Sequence, residues 1–116
     1  MAKDIKVALL GDLAFNGKIA EDSINNRYRY AEISTFLRNR DLVFANLESP
    51  VKQGTELNES KNLHLFSTLS TTDELLKVFN IKCVSLANNH IFDFKMPGLK
   101  ATVELLDNLG IYHTGA

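Results

Sequence analysis

The chain has a single cysteine, Cys83, so it cannot form an internal disulfide. Because Cys83 lies in the apolar run of residues 81–86, we interpret it as a reduced thiol in a buried strand. No apolar run approaches the ~20 residues that a membrane-spanning helix requires. The N-terminus carries Lys3, Asp4 and Lys6, which interrupt the apolar core that a secretory signal needs. The sequence therefore predicts a soluble, cytoplasmic protein.

The chain also lacks an excess of either charge, since it has 13 basic and 14 acidic residues. No stripe of lysine and arginine accompanies an aromatic platform, so the sequence predicts no nucleic-acid partner. With 45% hydrophobic residues and seven phenylalanines, the composition is that of a folded globular protein. A length of 116 residues suits one hydrophobic core, and we treat residues 1–116 as a single domain.

Three short apolar runs predict buried strands, at residues 5–10, 41–47 and 81–86. Each run ends in a polar loop, and Pro50 prevents the second from continuing. Residues 63–66 are compatible with a short edge strand, and residues 111–113 begin one more strand. The polar stretch between residues 52 and 62 predicts a surface loop of the kind that often borders a site.

Helical patterns separate these strands. Apolar residues at three- and four-residue spacing predict a helix over residues 28–40, and they are Tyr30, Ile33, Phe36 and Leu37. A capping box of Thr71 and Glu74 predicts a second helix that runs through residue 79. Pro97 starts a third helix and Gly110 closes it, with an apolar face of Leu99, Val103, Leu106 and Leu109. The alternation predicts an α/β fold with βαβ units and a mainly parallel sheet.

Polar side chains collect at the ends of the three predicted strands. Because the carboxyl ends of parallel strands converge on one edge of the sheet, we expect these side chains to lie near one another. Oxygen donors with an occasional imidazole suit Mn²⁺, Mg²⁺, Fe or Zn²⁺, and two such ions can clamp a phosphoryl group. The residues concerned are Asp12, Asn46, Glu48, Asn88, Asn89, His90 and Asp93.

Taken singly, each of these residues has an ordinary structural explanation. Asp12 after Gly11 suits a turn or a helix cap, asparagines satisfy backbone groups in tight turns, and His90 suits a packed core position. Their joint occurrence at three successive strand ends favours a metal or phosphate site.

Four segments together resemble a known family. They are residues 11–12 (GD), residues 41–50 (DLVFANLESP), residues 84–93 (VSLANNHIFD) and residues 109–116 (LGIYHTGA). In this order they closely resemble the motifs of the bacterial capsule-synthesis CapA (poly-γ-glutamate, PGA_cap) family, whose fold is that of calcineurin-like metallophosphoesterases. The resemblance implies that the chain is the N-terminal half of an αββα sandwich, incomplete at its C-terminus.

The resemblance also implies a role for each matching residue. Asp12 would bind the first of two divalent metal ions (Mn, Fe or Zn), Glu48 would stand at the bridging carboxylate, and Asn89 would bind the second ion. His90 would contact the phosphate and protonate the leaving oxygen, with Asp93 orienting its ring as the other catalytic residue. The supporting residues would be Asn46 and Asn88.

Two departures from the superfamily pattern bear on activity. Ala14 stands where the broad superfamily has a histidine two residues after the first aspartate. The chain also stops before the later strands that supply the remaining metal-binding histidines, and neither His64 nor His113 lies in a His-x-His arrangement. We therefore expect weak metal binding and little activity from this chain alone.

The function implied by the resemblance is that of a metal-dependent phosphoesterase or related hydrolase in capsule or poly-γ-glutamate biosynthesis, with a small-molecule or polymer substrate. One alternative is a non-catalytic assembly or polymer-binding protein with the same fold. Another is a small flavodoxin-like α/β domain, although no Gly-x-Gly-x-x-Gly loop is present. An unpaired sheet edge would favour a homo-oligomer.

Overall fold

The structure, a computed structural model, describes residues 2–25 and 27–116, and side chains outside residues 23–28. Four strands form one sheet in the order β1-β2-β3-β4, and every neighbouring pair is parallel. Their bounds are Val7–Leu13 (β1), Leu42–Leu47 (β2), Cys83–Ser85 (β3) and Tyr112–Thr114 (β4). The predicted α/β class with a parallel sheet is confirmed.

Helices fill every connection between the strands. The first connection contains α1, a short 3-10 helix and α2, while α3 and α4 occupy the second and third. Their bounds are Lys18–Asn25 (α1), Arg27–Tyr30 (3-10), Ala31–Arg38 (α2), Leu69–Val78 (α3) and Lys95–Asn108 (α4). None of the helices in the described ranges combines the length and apolar composition needed to cross a membrane.

The hydrophobic core lies between the helices and one face of the sheet. Val43, Ala45 and Leu47 of β2 are fully buried, and so is Val84 of β3. They belong to one cluster with leucines from three helices, namely Leu37, Leu75, Leu76 and Leu106. Because these leucines share one buried cluster with the strand residues, we place α2, α3 and α4 in a single layer over this face of the sheet.

The opposite face of the sheet is not covered by any described element. The strand register aligns Leu9 with Phe44, Phe44 with Cys83, and Cys83 with Tyr112, which makes an apolar row across all four strands. Leu9 and Tyr112 are each 77% exposed. One helix layer over one side of a sheet is the arrangement expected of half a sandwich. The predicted homo-oligomer through an open sheet edge stays a prediction.

Strand β1 contains a register irregularity that decides which way Asp12 points. Leu9 pairs with Phe44 and Asp12 pairs with Asn46, so β1 advances by three residues over the distance in which β2 advances by two. Since successive side chains of a strand alternate between faces, the extra residue at Gly11 moves Asp12 to the uncovered face. The predicted strand over residues 5–10 was therefore placed too early, because β1 continues through Asp12 to Leu13.

Several local predictions need correction. The predicted helix over residues 28–40 is a 3-10 helix followed by α2, and Ile33 and Phe36 are exposed rather than packed on the sheet. The Arg40 guanidinium lies 3.9 Å from the centre of the Phe36 ring and covers it instead. The side chain of Tyr28 lies outside the described set. Helix α1 had no counterpart in the sequence prediction, because it contributes only a few apolar residues.

The second predicted helix begins earlier than expected. The cap of α3 is Thr68, whose hydroxyl accepts a hydrogen bond from the Thr71 N–H at 3.1 Å, so the box assigned to Thr71 and Glu74 was wrong. Residues 63–66 form no strand, and the only pairing near them in the described chain is an isolated bridge between Val51 and Ser67. Helix α4 confirms the third predicted helix, although it starts before Pro97.

Gly115 allows β4 to end against the loop that follows β3. Its φ is +92°, and an added Cβ would lie 2.6 Å from the Ala87 Cβ. Gly110, which follows α4, also has a positive φ of +67°, but an added Cβ there would meet nothing. A residue with a Cβ would be strained at either position, but only at position 115 would that Cβ also clash with a neighbour.

We expect Gly115→Ala to cost about 3 kcal/mol of unfolding free energy, from left-handed strain together with the clash against Ala87. Gly110→Ala, the matched control, should cost about 1 kcal/mol because only the strain applies. Urea denaturation followed by circular dichroism measures both values. Equal losses in the two variants would contradict the close packing of Gly115 on Ala87.

Candidate functional site

The loops at the carboxyl end of the sheet are joined by a row of side-chain hydrogen bonds. The Asn46 amide donates to the Asp12 carboxylate at 2.7 Å. The Asn88 amide donates in turn to the Asn46 side-chain oxygen at 3.1 Å. Side chains from β1, β2 and the loop after β3 therefore meet at one rim, on the uncovered side of the sheet.

Asn88 fixes the shape of the loop after β3. Its amide also donates to the Leu47 carbonyl at 2.9 Å, and its side-chain oxygen accepts the His90 N–H at 3.0 Å. An asparagine whose side-chain oxygen accepts a hydrogen bond from the backbone N–H two residues later forms an Asx-turn. Asn88 thus anchors the turn that carries Asn89 and His90 to the end of β2.

His90 and Asp93 form a close pair within the same turn. The His90 Nδ1 lies 2.6 Å from Asp93 Oδ2, and the Asp93 N–H donates to the His90 carbonyl at 2.9 Å. The Asp93 side chain is fully buried and His90 is nearly so. The pairing is the one expected if Asp93 orients the imidazole.

Asp93 is also the attachment point for the polar loop that precedes α3. The Lys61 ammonium donates to Asp93 Oδ1 at 2.6 Å, and the Leu65 N–H donates to Asp93 Oδ2 at 2.7 Å. The Asn58 N–H donates to the Asp93 carbonyl at 3.0 Å. This loop was predicted to border a site, and it lies directly against the His90–Asp93 pair.

The surroundings of Asp93 favour its charged form. Burial by itself raises the pKa of the Asp93 carboxyl, because a charge loses hydration in the interior. Hydrogen bonds from Lys61, from His90 and from the Leu65 N–H outweigh that effect and lower the pKa below its ordinary value. Asp93 is therefore ionised at neutral pH.

An ionised Asp93 determines the arrangement of protons on His90. A carboxylate can only accept hydrogen bonds, so the Nδ1 atom 2.6 Å from it must carry a proton. In the neutral ring, Nε2 then holds the free lone pair. No described residue forms a hydrogen bond with Nε2, so this nitrogen is available to a substrate, a proton or a metal ion.

Glu48 and Asn89 lie at the same end of the sheet but outside the hydrogen-bonded row. The Glu48 N–H donates to the Leu13 carbonyl at 3.0 Å, which places Glu48 beside the end of β1. Asn89 is exposed, and its carbonyl accepts a hydrogen bond from the Lys61 ammonium. Among the described residues, neither side chain has a hydrogen-bond or ion-pair partner.

The oxygen donors suit a hard divalent cation, but they are few. Asp12 uses one carboxylate oxygen for Asn46, and the carboxylate of Glu48 and the amide of Asn89 have no partner in the described chain. No three His, Cys, Asp or Glu side chains within residues 2–25 and 27–116 are grouped closely enough to hold a metal ion. A metal bound at this rim would therefore depend on Asn89 as well as on the carboxylates.

The other two histidines have structural partners. His113 Nε2 lies 2.8 Å from the Asp107 carboxylate of α4. His64 Nε2 lies 2.8 Å from the Asn58 carbonyl, and His64 is half-buried in the loop that precedes α3. Neither is a member of the hydrogen-bonded row at the rim.

Lys61 is the residue of this region that the sequence reasoning missed. It lies about thirty positions before its partners, in a loop whose polar composition predicts a surface position near a site but singles out no residue. Nothing in its local pattern distinguishes it from any surface lysine. Only the folded arrangement brings it to Asp93.

The sequence profile described as "Bacterial capsule synthesis protein PGA_cap" matches residues 6–116. The chain belongs to this family. It is also similar to the capsule biosynthesis protein CapA of Bacillus anthracis, with 29% identity over 119 aligned positions. That alignment covers 97% of this chain and 28% of the Bacillus protein, so the chain spans little more than a quarter of its relative's length.

The lowered pKa of Asp93 gives a testable dependence of stability on pH. A carboxyl whose pKa is depressed in the folded protein stabilises it above the ordinary pKa, and this contribution is lost as the pH falls through the folded-state pKa. We expect Asp93→Asn to lose about 3 kcal/mol at neutral pH, because it leaves Lys61 without its buried partner. The difference in unfolding free energy between this variant and the wild type, which we call the gap, should narrow below about pH 4.

Urea denaturation at several pH values measures this gap. Asp73→Asn is the matched control, since Asp73 pairs with Lys77 at 2.9 Å on the exposed side of α3. That variant should lose less than about 0.5 kcal/mol at neutral pH. A gap for Asp93→Asn that stays constant into the acid range would show that its charge is not what stabilises the fold.

Proposed function

We propose that the rim contributes part of a metal-dependent phosphoesterase or related hydrolase centre that acts in capsule biosynthesis. The observation that carries this proposal is the meeting of Asp12, Asn46 and Asn88 in one hydrogen-bonded row, followed directly by the His90–Asp93 pair. Family membership supports the capsule connection. A role in the synthesis of poly-γ-glutamate in particular is the finer form of the proposal.

The metal would be held by Asp12, Glu48 and Asn89. All three offer oxygen atoms at or near the ends of neighbouring strands, and such donors suit Mn²⁺, Fe or Zn²⁺. A bound divalent cation would polarise a phosphoryl oxygen and lower the pKa of a bound water. Asn46 would hold the Asp12 carboxylate in one orientation, as hydrogen-bonded partners of metal ligands commonly do.

His90 would supply the proton that the leaving oxygen needs. Its Nδ1 is occupied by Asp93, so Nε2 is the ring nitrogen that can exchange a proton with a substrate. Asp93 would keep this tautomer in place and offset the positive charge of a protonated ring. Asn88 would set the position of His90 through its bond to the His90 N–H.

The test is turnover of a phosphodiester and a phosphomonoester with added Mn²⁺, measured on the full-length gene product. We expect His90→Ala to lower kcat by about 10²- to 10⁴-fold, because a general acid contributes that much. Asn89→Ala should also lower the rate, and higher Mn²⁺ should partly restore it, because the loss is one of metal binding.

The matched control is His113→Asn, since His113 bonds Asp107 of α4 and lies outside the proposed centre. Its rate should equal that of the wild type. Equal rates in the wild type, His90→Ala and Asn89→Ala would count against a hydrolase.

A second candidate is a non-catalytic assembly or polymer-binding protein. The specific observation in its favour is the sparse ligand set, with Ala14 in place of a histidine and no group of three acidic, histidine or cysteine side chains among the described residues. Metal analysis of the purified full-length protein separates the two candidates. A hydrolase of the proposed kind retains stoichiometric Mn, Fe or Zn, and Glu48→Gln should reduce that content.

A further inference from the structure

The Lys61 ammonium touches two parts of the loop after β3 at the same time. It donates to Asp93 Oδ1 at 2.6 Å and to the Asn89 carbonyl, and it lies 3.1 Å from His90 Nδ1. Its side chain is only 22% exposed, while that of Asp93 is fully buried. A long cationic side chain is seldom buried this far without a specific partner.

These contacts decide what Lys61 can do. Two of its three N–H groups are used by oxygen atoms of the turn, and the His90 Nδ1 beside it already carries a proton for Asp93. An ammonium engaged in this way is poorly placed to bind a phosphate at the rim. Its partners are the residues that flank and orient His90, so its effect must pass through them.

Removing Lys61 would change the hydrogen bonds that hold the Asp93 carboxylate in place. One carboxylate oxygen would lose the Lys61 donor, while the other would keep the Leu65 N–H and His90. A buried carboxylate with one unpaired oxygen pays a desolvation penalty, which it can reduce by rotating or by taking up a proton. Either response weakens its hold on His90 Nδ1.

We propose that Lys61 is a positioning residue of the rim: it holds Asp93 and the Asn89 carbonyl in a single arrangement, so that His90 presents Nε2 and Asn89 presents its amide. The loop of residues 52–66 thereby becomes part of the site. The catalytic importance of this arrangement rests on the proposed hydrolase function, whereas the structural arrangement itself does not.

Nuclear magnetic resonance of the full-length protein tests the arrangement directly. In the wild type, two-bond ¹⁵N–¹H correlations should show the Nδ1–H tautomer for His90, with a downfield proton protected from exchange by Asp93. The Lys61 ammonium should give a slowly exchanging signal, while the exposed Lys77 ammonium should not. Absence of both protected signals in the wild type would overturn the proposal without any variant.

In Lys61→Met we expect the protected His90 proton to exchange rapidly and the single tautomer to be lost. Lys77→Met is the matched control, because it removes a lysine–aspartate pair from a helix surface and should leave His90 unchanged. Lys61→Gln, which retains a neutral donor near Asp93, serves if Lys61→Met does not fold, and it should show a smaller change in the same direction. A lower melting temperature with an unaltered His90 spectrum would make Lys61 merely structural and overturn the proposal.

Steady-state kinetics on the phosphodiester form a separate arm. Lys61→Met should lower kcat by about 10- to 100-fold and change KM by less than about threefold, as expected when a residue orients a catalytic group without touching substrate. If the wild type has no turnover, the proposed hydrolase function fails and the magnetic resonance result still decides the role of Lys61. If the wild type turns over and Lys61→Met matches it, the positioning role fails alone.

Discussion

The buried carboxylate of Asp93 is the interaction on which the site region depends. An ionised group without contact to water is costly unless several hydrogen bonds replace its hydration. Asp93 receives them from His90, Lys61 and the Leu65 N–H, which come from two loops far apart in the chain. The need to satisfy one charge therefore determines how the loop before α3 and the turn after β3 fit together, and it also selects the tautomer of His90.

A second constraint acts from the sheet side through asparagine. Asn46 and Asn88 connect the first three strands at their carboxyl ends, and each uses its side chain as both donor and acceptor. Amides are suited to this because they carry no charge that needs compensation. The rim thus combines a neutral network beside Asp12 with a charged one beside His90, and Asn88 joins the two through the His90 N–H.

Much of the fold could be predicted from the sequence because its signals are local. The apolar runs that became β2 and β3 are bounded by polar residues, and Gly110 ends α4 as predicted. The errors arose where tertiary contacts override local pattern: Phe36 has helical spacing but packs under Arg40 instead of on the sheet. Candidate site residues at strand ends followed from the parallel topology, whereas Lys61 did not, because its partners are about thirty residues away.

The extra residue in β1 has a consequence for comparing related chains. Deleting Gly11 would restore a regular pairing with β2, and Asp12 would keep its place on the uncovered face beside Asn46. If Gly11 stayed and the strand alternated regularly through it, Ala8 and Leu10 would still pack against the helices, but Asp12 would turn into the helix layer, away from Asn46. Two sequences could thus agree on every motif and still differ in whether the first carboxylate reaches the rim. The irregularity in β1, and not the identity of the aspartate, distinguishes them.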